Sequence, residues 1–205
     1  MAAETARPGA APRTMHVVVM GVSGSGKTTV ARGVARAAGL LLAEADDFHP
    51  VTNVDKMRGG IPLTDEDRWP WLGELAGWMA DRAREGVSTV ITCSALRRAY
   101  RDVLAAGPPS IHFVHLRAPT PLIHERLAMR VGHYMPPSLL GSQVEALEPL
   151  DDDEPGVVVD VSGSPDEVLA RALRSIAGLS GPRGSAPPAR RPPDAPVRAA
   201  RQGAR

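Results

Sequence analysis

Residues 21–28 read Gly-Val-Ser-Gly-Ser-Gly-Lys-Thr and satisfy the pattern G-x-x-x-x-G-K-[S/T] at every fixed position. The context also fits. The segment follows a run of branched apolar residues (16–22, HVVVMGV) that reads as a buried strand, and it opens a helical stretch over 27–38. Glycines at 21, 24 and 26 let backbone N–H groups turn inward around phosphate oxygens, and the helix start adds partial positive charge. The loop residues Gly21, Val22, Ser23, Gly24, Ser25 and Gly26, with Lys27, Thr28 and Thr29 opening the helix, form the candidate nucleotide cradle. Lys27 would reach the β- and γ-phosphates of ATP, and the Thr28 hydroxyl would hold Mg²⁺.

The remaining chain alternates strands and helices. Short apolar runs at 40–45, 88–93, 111–116 and 157–161 read as further strands. Helical periodicity covers 53–57, 71–84, 97–105, 121–130 and 165–177, the last opened by Ser164 as N-cap. This alternation implies an α/β fold: a five-stranded, mostly parallel sheet with helices on both faces. Ligands then belong at the carboxyl edge of the strands.

The chain has 205 residues, 43% hydrophobic and 23% charged, enough for one domain with its own core. A single cysteine, Cys93, excludes an intramolecular disulfide, and no apolar run reaches the length of a membrane span. Residues 1–14 carry Arg7 and Arg13 without an apolar stretch, so they are expected to be a disordered extension and not a secretory signal. A cytoplasmic location follows as the expectation. The net charge of +1 conceals a basic tail. Residues 180–205, rich in Pro, Arg, Ala and Gly, hold six arginines against Asp194, and lack the apolar content to offset ordering entropy. The domain between, 15–179, is mildly acidic, which argues against nucleic acid as a partner.

A phosphate loop alone does not separate kinases from other nucleotide-binding proteins. Asp46 and Asp47 stand at the end of the second strand, one helix and one strand beyond Lys27, so the chain returns there to the same sheet edge. Asp46 could accept the proton of an incoming hydroxyl, and Asp47 could bond Mg²⁺ waters. Arg126 and Arg130 are four apart on one helical face and precede a Gly- and Pro-containing loop. Two guanidiniums on a mobile flap could close over a triphosphate and steady charge on the transferred group. His16, His112, His115, His124 and Asp160 read as structural, and residues 151–154 (Asp-Asp-Asp-Glu) as a solvated loop.

Several segments occur in order beyond the loop: Asp46-Asp47-Phe48-His49-Pro50, Asn53-Val54-Asp55-Lys56-Met57, Gly60-Ile61-Pro62-Leu63-Thr64-Asp65-Glu66-Asp67-Arg68 with Pro70-Trp71-Leu72, Cys93-Ser94-Ala95-Leu96, Tyr100-Arg101-Asp102, and Arg126 followed by Arg130-Val131-Gly132-His133. Together, from about residue 17 to 161, they resemble gluconokinases of the small phosphate-loop type, similar in fold to shikimate and nucleoside monophosphate kinases. The resemblance implies an acceptor-binding segment at about 49–78 and a lid at about 130–145. It implies phosphoryl transfer from ATP to the 6-hydroxyl of D-gluconate, often in a homodimer. For an acidic polyol, Asp46, His49, Lys56, Arg68, Ser94, Arg101 and His133 are the candidate substrate contacts, with Lys27, Asp46, Arg126 and Arg130 catalytic. Arg68 or Arg101 suits the carboxylate best, since a planar fork binds it in two places. Arg101 could equally pair with Asp102 or Asp67. Two rivals stand beside this reading: a kinase of the same fold for shikimate, a nucleotide or another sugar acid, and a nucleotide-binding regulatory module without turnover.

Overall fold

The computed structural model describes residues 14–128 and 140–179. Of the extension expected to be disordered over 1–14, only Thr14 is described, and it is buried; the rest of it, the tail 180–205, and residues 130–139 of the expected lid, with Arg130 and His133, lie outside the described residues.

Five strands, β1 (His16–Met20), β2 (Leu41–Glu44), β3 (Thr89–Thr92), β4 (Ile111–Arg117) and β5 (Gly156–Asp160), form one all-parallel sheet in the order β2-β3-β1-β4-β5. Buried on both faces, β1 alternates its side chains between two cores. Val17 and Val19 face α1 (Lys27–Ala38) and α7 (Pro165–Leu179), packing with Val30, Val34, Val168 and Ile176. Val18 and Met20 face α3 (Asp65–Arg84) and α4 (Arg98–Ala105), packing with Trp71, Leu75, Met79 and Leu104. Near-continuous β-branched content is what a strand covered on both sides needs. The remaining helices are α2 (Val51–Arg58), α5 (Thr120–Ala128) and α6 (Leu140–Ala146), with a 3₁₀ turn over Ala45–Phe48.

Two elements depart from the sequence expectation. Helix α3 begins at Asp65, not at 71. Thr64 and Asp67 form a capping box, and the first turn carries Asp65, Glu66 and Asp67, which complement the helix dipole. Pro70 in the second turn costs one backbone hydrogen bond, which that start and the buried Trp71 and Leu72 outweigh. Helix α6 was not anticipated at all. It is held by buried Leu140, which packs with Val22, Leu96 and Ile123.

The chain reverses its winding at β1: β3 lies on one side and β4 on the other. The crevice at the carboxyl ends of these strands is therefore where a ligand fits.

Candidate active site

The phosphate loop leaves β1 at that crevice. Gly21, Gly24 and Gly26 take φ of 136°, 81° and 95°, values that side-chain-bearing residues avoid. A Cβ on Gly21 would also stand 2.8 Å from the Leu116 carbonyl oxygen. The Gly21 amide donates to the Ser94 carbonyl (3.3 Å), which ties the loop to the end of β3. Lys27 folds back over the loop, its Nζ donating to the carbonyls of Gly21 and Val22, both at 3.1 Å.

Strand register sets the next group. Glu44 pairs with Thr92 across β2 and β3, so their side chains share one face. Glu44 Oε2 accepts from Thr92 Oγ1 (2.6 Å) and from Thr28 Oγ1 (3.2 Å). Glu44 Oε1 is buried without a hydrogen-bond partner. A carboxylate held against the Thr28 hydroxyl, its other oxygen facing only the Arg32 guanidinium at 3.9 Å, suits the water shell of a hard divalent cation. The expectation put that task on Thr28, with Asp47 as helper. The sequence reading missed Glu44, and its only signal was the two-residue spacing to Asp46.

One cavity runs from the loop to the 3₁₀ turn and the start of α3. Its lining includes Lys27, Thr28, Glu44, Asp46, His49, Arg68, Trp71 and Ser94. Asp46 sits in the 3₁₀ turn, whose start is fixed by the Trp71 indole N–H donating to the Ala45 carbonyl (2.8 Å). His49 stacks on Trp71 with ring centroids 4.1 Å apart, and its Nδ1 is buried without a hydrogen-bond partner. Burial lowers the His49 pKa foremost; Asp46 opposes that and Arg68 adds to it. A neutral imidazole with an open nitrogen can meet a polyol hydroxyl. Arg68 is steadied by Nη1 donating to the Leu63 carbonyl (2.6 Å) and the Tyr100 hydroxyl (3.4 Å).

Three candidates stand elsewhere. Lys56 is spent on Asp67, with Nζ 2.6 and 2.8 Å from its two carboxylate oxygens, and is not part of the cavity lining. Asn53, on the same helix, donates to the Asp67 carbonyl (2.9 Å), so the Asn-x-Asp-Lys segment braces α2 against the start of α3. That Lys56 bond, and secondarily the Thr64 amide, holds the Asp67 carboxyl below its usual range. Arg101 has a side chain with no exposed surface and pairs with Glu154, not with Asp102 or Asp67. Glu154 is itself buried, which corrects the reading of 151–154 as wholly solvated. Arg126 donates to the Val161 carbonyl (3.0 Å) and lines a second hollow with Gly24, Thr29 and Pro165, on the other side of the loop from Asp46. Sequence reasoning also missed Gln143 of α6, whose Oε1 accepts from the Ser23 amide at 2.7 Å. No local sequence pattern announces it.

Alone at 44°, Ala95 is the non-glycine residue with positive φ among the described residues. It follows Ser94 directly, and such a conformation costs about 1 kcal/mol or more.

The family model described as "AAA domain" matches residues 17–150. A gluconokinase from Gluconobacter oxydans is 48% identical over 158 residues, covering 77% of this chain and 89% of that protein. Among solved structures, an unliganded sugar kinase from Janibacter sp. HTCC2649 is 56% identical with a TM-score of 0.78, covering 82% of this chain and 99% of that one. A gluconokinase from Sinorhizobium meliloti 1021 is 43% identical with a TM-score of 0.74, covering 83% and 94%.

Proposed function

The chain belongs to the gluconokinase family of phosphate-loop kinases, and from that premise we propose how its residues divide the phosphorylation of D-gluconate by ATP. The product is 6-phospho-D-gluconate with ADP. The observation that carries the division of labour is that Lys27 and Asp46 line one cavity whose far side holds His49 and Arg68.

The loop amides and Lys27 bind the β- and γ-phosphates and hold the γ-phosphoryl group in line with the acceptor. Asp46 orients the 6-hydroxyl and takes its proton as the oxygen attacks phosphorus. Arg68 receives the gluconate carboxylate, and His49 and Ser94 meet its hydroxyls. Arg126, held by the Val161 carbonyl beside Thr29 and Pro165, serves the nucleoside side of ATP rather than the transferred group. Thr28, with Glu44 through water, would hold Mg²⁺, whose charge would offset that of the phosphates. Closure of the lid over 130–145, with Arg130 and His133, would exclude water from the transfer. The protein acts as a homodimer in the cytoplasm, without nucleic-acid or membrane partners.

The test is ADP release by purified protein with Mg·ATP against D-gluconate, shikimate, nucleoside monophosphates and other aldonates, repeated with Asp46→Asn. Release specific to gluconate is expected, and the substitution should lower kcat by about 10²–10⁴ with the fold intact. Near-normal turnover by Asp46→Asn would remove Asp46 as the base. Turnover of another acceptor in preference to gluconate would replace the substrate.

A further inference from the structure

Arg101 lies outside the cavity, yet its bonds converge on the loop that forms the cavity wall. Nη1 reaches the carbonyls of Ala95 and Leu96, both at 3.2 Å, and of Glu148 at 3.1 Å. Nη2 donates to the Pro149 carbonyl (3.1 Å) and Glu154 Oε2 (2.8 Å), while Nε donates to Glu154 Oε1 (2.5 Å). All three nitrogens of a fully buried guanidinium are thus engaged, on two chain segments far apart in sequence.

The first segment is the loop after β3. Cys93, Ser94 and Leu96 line the cavity, the Ser94 carbonyl accepts the Gly21 amide, and Ala95 between them is held at φ 44°. A left-handed alanine needs its surroundings to impose the conformation. The guanidinium takes the carbonyl of Ala95 and of the residue after it, which is where such a constraint must act. The second segment returns from α6, whose Gln143 touches the phosphate loop, and the Glu148 amide donates to the Leu96 carbonyl (2.8 Å). Glu154 supplies the countercharge and also accepts the Asp151 amide (2.9 Å), so the second segment is fixed from both ends.

We propose that Arg101 is a positioning residue for the acceptor. It locks the Ser94–Leu96 wall in the conformation that presents Ser94 to gluconate, and it joins that wall to the segment leaving α6. This rests on the reading of the cavity as the gluconate site. A planar fork with five N–H donors, the two on Nη1 shared among three carbonyls, serves four carbonyls and both carboxylate oxygens; the three N–H of a lysine ammonium cannot.

The experiment is Arg101→Lys, which keeps the charge opposite Glu154. Relative to wild type, kcat/KM for gluconate should fall about ten- to hundredfold, while KM for ATP stays within about twofold. In substrate-free protein, amide hydrogen exchange over residues 93–97 should speed up, with exchange in β1 and β4 unchanged. Adding Ala95→Gly to Arg101→Lys should recover part of the loss, because glycine takes a positive φ without imposed constraint. Unchanged exchange at 93–97, or a fall in activity that only tracks the folded fraction with both KM values at wild type, would overturn the proposal. Should Arg101→Lys fail to fold, Glu154→Gln keeps the guanidinium and its four carbonyls and is expected to give the same pattern at smaller amplitude; no change at 93–97 there would overturn it equally. A wild-type protein without gluconate turnover would remove the substrate reading, and the exchange difference would still decide the role of Arg101.

Discussion

Glu44 lines the cavity beside Thr28, and the sequence did not single it out. Its carboxylate takes two threonine hydroxyls on one oxygen and keeps the other buried without a hydrogen bond, 3.9 Å from the Arg32 guanidinium. Glu44→Gln preserves shape and removes charge. The Mg²⁺ concentration for half-maximal activity should rise about tenfold or more, with KM for gluconate little changed. A titration of activity against free Mg²⁺ checks this, and an unaltered midpoint would assign Glu44 to packing alone. The contrast with Lys27 explains what could be read in advance. Lys27 belongs to a cradle built by eight consecutive residues, so its role is written locally. Lys56 and Arg101 are cations whose roles depend on which acid lies nearby in space. Asp67 lies on the neighbouring helix and Glu154 fifty-three positions away, and no spacing rule points to either.

At the scale of elements, strands were legible because two buried faces demand unbroken apolar runs, and all five strand ranges shifted by no more than two residues at either end. Helix α3 extends six residues ahead of the 71–84 periodicity, because the capping box whose N-cap is Thr64, six residues before Pro70, starts the helix first. Helix α6 is short, and its support comes from Val22, Leu96 and Ile123, residues of three other regions. The α3–α4 contact has its own weak point. Gly107 follows α4, and a Cβ there would lie 2.3 Å from the Ala76 carbonyl oxygen and 2.9 Å from its Cα. Backbone, unlike a side-chain tip, cannot swing aside. Gly107→Ala should therefore destabilise by about 1–3 kcal/mol, or roughly 3–10 °C in Tm. Thermal unfolding checks it, and an unchanged Tm would mean that α3 yields freely. Because α3 carries both Arg68 and Trp71, a displaced helix should also weaken gluconate binding.

For the whole molecule, buried histidines weaken the fold as pH falls. His115 on β4 is 4% exposed, with Nδ1 unpartnered. Burial first, then the Arg101 and Arg117 guanidiniums, lower its pKa to about 4. The unfolded chain takes up this proton near pH 6.5, the folded chain only near 4. Stability is thus intact above pH 6.5 and declines as pH falls toward 4, by on the order of 3 kcal/mol from this group. His16 and His49, also lowered by burial, contribute in the same direction. Urea unfolding at pH 7.5 and 4.5 should show the decline, and His115→Gln, which does not titrate, should show less of it. Equal slopes in both proteins would discount His115. The arrangement of α3 has one more consequence. All three tryptophans of the chain, Trp69, Trp71 and Trp78, lie on that helix, at 38% exposure, buried against His49, and edge-on to Phe48. The tryptophan emission of the protein is therefore that of a single helix, and a ligand settling beside His49 would register as light from the wall it touches.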